Sequence, residues 1–206
     1  MSNTSHLSSA TTPTRGRRAR FGSARAVALV AAGAGLLTVS AKLQVPGPVP
    51  MTLQTLAVLA LGAMLGTRLA VGAVLLYVAE GAAGFPVFAN TPPLVPGLAY
   101  LAGPTGGFLA GFALAAAMVG TAADRGLARR PVAFAAVLAA ADAAMLAVGC
   151  AWLALAAQVG GQTGIGFARA FATGVQPFIL GEGLKVALAA AALPAGLALA
   201  ERLRRR

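Results

Sequence analysis

The chain has 206 residues, of which 58% are hydrophobic and only 10% are charged, and its mean hydropathy is +0.81. Soluble domains carry about 25% charged residues, so this composition excludes an ordinary soluble domain and indicates an integral membrane protein. The net charge of +11 does not indicate a nucleic-acid partner, because most cations lie in the two tails and in short gaps between apolar runs. A single cysteine excludes both a disulfide framework and a multi-cysteine metal site.

The N-terminal region predicts a basic tail followed by a helix with one small face. Residues 1–23 are rich in Ser, Thr and Arg, cannot bury a core, and are predicted to be disordered near the anionic cytoplasmic leaflet. The first apolar run, 26–41, is predicted as a retained helix. Its end also fits a signal-peptidase site, so a cleaved signal peptide is the alternative. Alanine recurs every four residues, which favours close packing against another helix, at Ala24, Ala28 and Ala32.

Five more apolar segments follow, separated by turns or by charged gaps. They are predicted at 52–66, 69–83, 106–122, 132–157 and 177–200. The sequence therefore predicts an all-α membrane protein with six transmembrane helices in one domain, 24–200, and a basic C-terminal tail at 201–206. Two of the segments are shorter than the ~20 residues that cross a bilayer upright.

The distribution of positive charge predicts the orientation of these helices. With the N-terminus in the cytoplasm, thirteen of the sixteen Lys and Arg residues lie on the cytoplasmic side. Cytoplasmic loops carry the excess of Lys and Arg, so both termini are predicted to be cytoplasmic. The two long Gly-rich connections, 84–107 and 160–176, then share the outer side, from which a substrate would arrive.

The connection 84–107 is the most unusual stretch of the chain. It contains five prolines and five glycines but no charge, and it lies between apolar helices. Such broken backbone cannot face lipid, and it is tolerated where it is buried in protein or lines a cavity. A plain interfacial loop is one interpretation, and the wall of a ligand pocket is the other. Small-molecule pockets combine apolar walls with a few polar anchors. The candidate residues for such a wall are Phe85, Phe88, Tyr100, Asn90 and Thr105.

Four ionisable residues are embedded in the apolar segments. Glu182 and Lys185 are spaced i, i+3 at the outward start of the sixth helix, which puts them on one helix face. Such residues are candidates for function, and a self-neutralising structural ion pair is the alternative. Glu80 and Asp142 have no assignable cation and are predicted to hydrogen-bond between helices. The sequence contains no P-loop motif for ATP and no H-E-x-x-H or G-x-S-x-G hydrolase motif.

Four motifs resemble one family of membrane proteins. They are PVPMTLQTLAVLALGAMLG at 48–66, GFPVF at 84–88, GPTGGF at 103–108 and PFILGEGLK at 177–185. In this order they resemble the BioY family, the biotin-binding subunits (S components) of energy-coupling factor transporters. The resemblance spans about residues 40–190. The last motif of the family usually reads Gly-Asp-x-x-Lys, and here Glu182 stands in the place of the aspartate.

The resemblance implies a six-helix fold that captures biotin from the outer side of a bacterial inner membrane. It implies biotin as the transported ligand, no cofactor, and three partner subunits, a transmembrane coupling protein and two ABC-type ATPases. Asn90 and Lys185 match polar ligand contacts of the family. We expect Asn90 and Glu182 to pair with the ureido group, Lys185 with the carboxylate, and the aromatic residues of the loop to enclose the rings. The alanine face of the first helix is expected to contact the coupling protein.

Two rival functions remain at this stage. One is a binding subunit for another vitamin. The other is an intramembrane enzyme acting on lipid, with Glu182, Asp142 or Glu80 as its acid or base. The absence of clustered His, Cys or paired carboxylates at one predicted depth counts against the enzyme.

Overall fold

The computed structural model of the protein describes residues 22–45, 51–94 and 96–204. These residues form five long helices, two short helices and two pairs of two-residue strands. The helices are α1 (Ser23–Lys42), α2 (Gln54–Ala82), α3 (Leu98–Ala102), α4 (Gly106–Asp124), α5 (Pro131–Leu155), α6 (Phe167–Gly174) and α7 (Ile179–Arg204). The strands pair antiparallel, β1 (Gln44–Val45) with β2 (Met51–Thr52) and β3 (Gln158–Val159) with β4 (Gln162–Thr163).

Helix α2 is a hairpin of two helical arms. Gly66 inside it has φ 74° and ψ 176°, a non-helical conformation that glycine adopts without steric cost. The Gln54 side chain donates a hydrogen bond to the Tyr77 hydroxyl at 2.8 Å, whereas residues 23 apart in a straight helix would lie about 35 Å from each other. The chain therefore reverses at Gly66, and the arms 54–65 and 67–82 run antiparallel.

The described helices agree with the six-helix prediction. Five helical segments are long and apolar enough to cross a membrane, and one of them is the α2 hairpin, whose arms correspond to the predicted segments 52–66 and 69–83. The protein is thus an all-α, multi-pass membrane protein. The predicted N-terminal tail lies outside the described residues, except for Gly22 and Ser23, and α7 continues into the predicted C-terminal tail as far as Arg204.

Contacts between loops divide the bundle into two ends. At one end, the turn of α2 meets the end of α4, where Thr67 donates its backbone N–H and its hydroxyl to the Asp124 carboxylate at 3.1 and 2.8 Å. At the other end, the Lys42 side chain at the end of α1 contacts the loop that follows α2. The long connections 84–105 and 156–178 both lie at this second end.

Small residues allow the helices to pack closely. Gly33 of α1 faces Ala73 and Leu61 from both arms of α2, and a Cβ at position 33 would come within 2.6 Å of the Ala73 methyl group. Close approach of backbones at Gly and Ala is the usual basis of helix packing in membranes. The opposite face of α1 is exposed and contains the predicted contact residues Ala24, Ala28 and Ala32.

Candidate ligand-binding site

A cavity of about 530 Å³ lies at the end of the bundle that carries the long connections. Pockets for small molecules typically have volumes of about 300–1,000 Å³ and combine apolar walls with a few polar groups. The apolar part of the lining includes Met51, Phe108, Leu109, Phe112, Met145, Leu146, Leu153 and Phe178. The polar part includes Gln44, Thr52, Gln54, Thr55, Tyr77, Asn90, Tyr100, Thr105, Arg169, Thr173 and Glu182.

The loop after α2 forms one wall, and Lys42 holds it in place. The Lys42 ammonium donates to the backbone oxygen of Phe88 at 2.7 Å and to the backbone oxygen and hydroxyl of Thr91. Next to it, the Gln44 side chain donates to the Asn90 side-chain oxygen at 2.7 Å. Asn90 itself has a positive φ of 57°, which asparagine tolerates better than most residues. The end of α1 and strand β1 therefore fix the position of the Asn90 amide at the cavity.

An aromatic cluster supports this wall from behind. Phe88 is fully buried, stacks on Tyr100 with ring centroids 4.5 Å apart, and meets Tyr77 edge-on at 5.4 Å. Gly81 makes room for it, because a Cβ at that position would overlap the Phe88 ring. Tyr100 donates its hydroxyl to the backbone oxygen of Ala89 at 3.0 Å, and burial raises the pKa of Tyr100 above its ordinary value.

Gln54 and Tyr77 form a polar pair on the two arms of α2, and sequence analysis did not identify it. Gln54 Nε2 donates to the Tyr77 hydroxyl, and the Gln54 side chain is 5% exposed. Both residues line the cavity. The signal was present in the sequence as a glutamine at the start of an apolar segment, but the contact depends on the reversal at Gly66.

A buried charged cluster closes the cavity at the start of α7. Lys185 Nζ lies 2.7 Å from Glu182 Oε1, and both side chains are 7% exposed. Glu182 lines the cavity, and Lys185 is buried against it. Asp142 of α5 is also buried, and its Oδ1 has no hydrogen-bond partner in the described part of the chain. The i, i+3 spacing therefore produces the close pair that it predicts.

Arg169 also lies at the cavity, although the sequence analysis considered it only in the count of positive charges. It lies on the short helix α6, is exposed, and lines the cavity. Its neighbours Phe167 and Phe171 are exposed apolar residues on the same short helix. Within the described ranges, Arg169 is the one Lys or Arg that lines the cavity.

The structure brings four of the predicted site residues to the cavity surface, namely Asn90, Tyr100, Thr105 and Glu182. The other three are placed differently. None of them is part of the cavity lining: Phe88 is fully buried, Lys185 is buried against Glu182, and Phe85 is 60% exposed. The aromatic surface around the cavity comes instead from Phe108, Phe112 and Phe178.

Comparison with known proteins identifies the family. The model of the BioY family matches residues 8–202. The chain belongs to the BioY family. It is 36% identical to the probable biotin transporter BioY of Pyrococcus horikoshii, over 81% of this chain and 92% of that protein. It is 35% identical to the biotin transporter BioY of Rhizobium etli, over 69% of this chain and 75% of that protein.

The fold of this BioY protein also matches a solved structure. The crystal structure of an S-component for biotin from an ECF-type ABC transporter superposes with a TM-score of 0.69, covering 89% of this chain and 92% of that chain. The two sequences are 19% identical, so this match shows the shared fold. It confirms the predicted six-helix, all-α architecture.

Proposed function

We propose that this chain is the biotin-binding and uptake subunit of an energy-coupling factor transporter and is not an enzyme. The observation that carries the proposal is the cavity itself, an apolar chamber with polar anchors on the α2 loop and on α7. Its family and its relatives named as biotin transporters support the choice of ligand.

The chemistry of biotin matches the lining of the cavity. Its fused bicycle is apolar and suits the wall formed by Phe108, Phe112 and Met145. Its ureido group both donates and accepts hydrogen bonds, as do the amide of Asn90 and the carboxylate of Glu182 taken together. An analogue that lacks the ureido group would leave these anchors desolvated and without a partner, which costs affinity.

Two cations are available to the valerate carboxylate at different depths. Lys185 has three N–H donors, and the described structure gives one of them to Glu182, so the others remain for a ligand that reaches the cluster. Arg169 is exposed and lines the cavity. We assign Lys185 as the bound partner of the carboxylate and Arg169 as the charge that attracts the carboxylate to the entrance.

The membrane topology and the partners belong to the same proposal. We place both termini and the turn at Gly66 on the cytoplasmic side of a bacterial inner membrane, and the cavity on the outer side, because of the asymmetry of Lys and Arg. A transmembrane coupling protein and two ABC-type ATPases complete the transporter. The exposed face of Ala24, Ala28 and Ala32 is the proposed contact with the coupling protein.

Equilibrium binding to the purified protein tests the proposed ligand. Radiolabelled biotin should bind saturably at one site per chain, and an excess of other water-soluble vitamins should not displace it. Saturable binding of another vitamin in place of biotin would overturn the assignment. A covalently altered lipid after incubation with membranes would instead support the enzymatic alternative.

A further inference from the structure

The strand pair β1–β2 connects a row of polar side chains in the cavity lining. Gln44 pairs with Thr52 across the two strands, and the Gln44 side chain donates to Asn90 Oδ1 at 2.7 Å. The Thr52 hydroxyl donates to Gln54 Oε1 at 3.3 Å. All four residues line the cavity. The row therefore runs from the loop after α2 to the first residue of α2.

Gln54 is the buried member of this row, and its hydrogen bonds fix the orientation of its amide. The Tyr77 hydroxyl donates its one hydrogen to the backbone oxygen of Val87 at 3.4 Å, so its oxygen accepts from Gln54 at 2.8 Å. Only the nitrogen of an amide side chain can donate, so Nε2 faces Tyr77 and Oε1 faces the Thr52 hydroxyl. Gln54 is 5% exposed, and a rotated amide would leave buried polar groups without partners, which is costly.

One N–H group of Gln54 is left for a ligand. The Nε2 atom has two hydrogens, and Tyr77 accepts one of them. Among the described residues, no acceptor is bonded to the other. A buried N–H without a partner costs free energy, and Gln54 lines the cavity, so a molecule bound there can supply the acceptor.

Glu182 supplies the complementary group from α7. Its Oε1 accepts from Lys185, whereas its Oε2 is buried and has no hydrogen-bond partner in the described ranges. An ionised carboxylate can only accept hydrogen bonds, so Oε2 requires a donor from the ligand. The start of α7 packs against β2, because a Cβ on Gly181 would overlap the Met51 sulfur. The acceptor of Glu182 and the donor of Gln54 therefore belong to neighbouring parts of the cavity wall.

We propose that Gln54 is a specificity-determining residue that donates this N–H to the carbonyl oxygen of the ligand, while Glu182 Oε2 accepts an N–H of the same ligand group. A ureido group has one carbonyl oxygen and two N–H donors, so it satisfies both residues. Tyr77 is a positioning residue, because it acts through the Gln54 amide. The inference rests on the proposed function and adds the residue that recognises the ureido oxygen.

A biotin analogue with sulfur in place of the ureido oxygen isolates this contact. The analogue keeps both N–H donors and the carboxylate, but sulfur is a weak acceptor. Gln54→Met keeps the length of the side chain and removes the N–H. This variant should bind biotin about tenfold more weakly than the wild type, because the ureido oxygen loses its donor. Its affinity for the sulfur analogue should change little, so the preference for biotin should fall by about tenfold.

Calorimetric titration of both ligands into the full-length protein in nanodiscs provides the measurement. Gln162→Met is the matched control, since Gln162 is exposed on β4 and is not part of the cavity lining, and it should keep the wild-type preference. A loss by the same factor for both ligands in Gln54→Met, or an unchanged preference, would overturn the inference. If the wild type binds neither ligand, the proposed function fails. If the wild type binds biotin and Gln54→Met keeps the wild-type preference, only this inference fails.

Tyr77→Phe tests the orientation of the amide with Gln54 in place. Loss of the hydroxyl frees the Gln54 side chain to rotate, so the preference for biotin should fall in this variant as well. The double variant Gln54→Met/Tyr77→Phe should have the same preference as Gln54→Met, because residues that act through one another are not additive. Full wild-type preference in Tyr77→Phe would contradict the inference even where Gln54→Met binds neither ligand. A further loss of preference in the double variant would show that Tyr77 does not act through Gln54.

Discussion

At the scale of single residues, Lys185 and Arg169 differ in burial, and we expect this difference to give them different roles in binding. Lys185 is 6% exposed and bound to Glu182, whereas Arg169 is exposed on α6. A buried charge that contacts a ligand mainly changes the dissociation rate, and an exposed charge at a rim mainly changes the association rate. Their variants should therefore differ in kinetics as well as in affinity.

Lys185→Ala should severely weaken the binding of biotin. Removing one partner of a buried charge pair costs about 3–5 kcal/mol, because the other charge remains buried without compensation. This corresponds to roughly two to four decades in the dissociation constant, at about 1.4 kcal/mol per decade. Titration calorimetry with biotin and with its uncharged amide provides the measurement, and the amide should lose much less affinity. An equal loss for both ligands would show that Lys185 has a structural role.

Arg169→Gln should reduce the association rate of biotin by about tenfold at low ionic strength, with a small change in the dissociation rate. The matched control is Arg68→Gln, which removes an exposed cation at the opposite end of the bundle. Stopped-flow measurements at increasing salt should bring the wild type and Arg169→Gln together, because salt screens exposed charges. A salt-independent loss confined to the dissociation rate would instead identify Arg169 as the bound partner of the carboxylate.

At the scale of elements, the loop after α2 is positioned by the end of α1. Lys42 donates to backbone and side-chain oxygens of Phe88 and Thr91, which fixes the segment that carries Asn90. The pairing of Gln44 with Asn90 adds a second connection between β1 and the same segment. The preorganised loop then needs little further ordering when a ligand binds.

Lys42→Met should loosen this loop while it keeps the aliphatic part of the side chain. A hydrogen bond from a charged group contributes about 1.5–3 kcal/mol, so we expect a dissociation constant for biotin raised by about one to two decades. Hydrogen exchange should show faster exchange of loop amides, including those of Thr91 and Leu94. Arg68→Met, at the opposite end, is the control and should change neither quantity. Unchanged exchange in Lys42→Met would show that the aromatic cluster alone holds the loop.

Sequence reasoning reached the local features of this site and missed the contacts that depend on tertiary structure. The i, i+3 spacing of Glu182 and Lys185 predicts their proximity because a helix fixes it. The contact of Lys42 with Thr91 joins residues 49 positions apart, and that of Gln54 with Tyr77 requires the reversal at Gly66. Phe85 is exposed and lies outside the cavity lining, since the residue type alone does not determine which way a loop side chain faces. The roles of these residues in binding stay predictions.

At the scale of the whole molecule, the two surfaces to which we assign functions lie on different parts of the bundle. The cavity opens at the end that carries the long connections, and the exposed alanine face of α1 lies on the side of that helix away from α2. If both assignments are correct, we expect that each surface can be disrupted without the other.

Replacement of Ala28 and Ala32 by leucine should abolish co-purification with the coupling protein and leave biotin binding intact, because bulky side chains prevent close helix approach. Ala139→Leu is the matched control, since it places the same bulk on an exposed position of α5. Pull-down of the co-expressed complex and equilibrium binding on the same preparations are the two measurements. If assembly and biotin binding fall together, the alanine face is part of the packing of the bundle itself.

The central claim, that the cavity at the end of this bundle binds biotin, is tested most directly by calorimetric titration of biotin into the purified wild type and Thr105→Trp. Thr105 is an exposed residue of the cavity lining, so an indole at this position should fill the cavity while the helices remain folded. We predict saturable binding of one biotin per chain in the wild type and no detectable binding in the variant. Equal affinity in the two proteins, or no saturable binding in the wild type, would contradict the account.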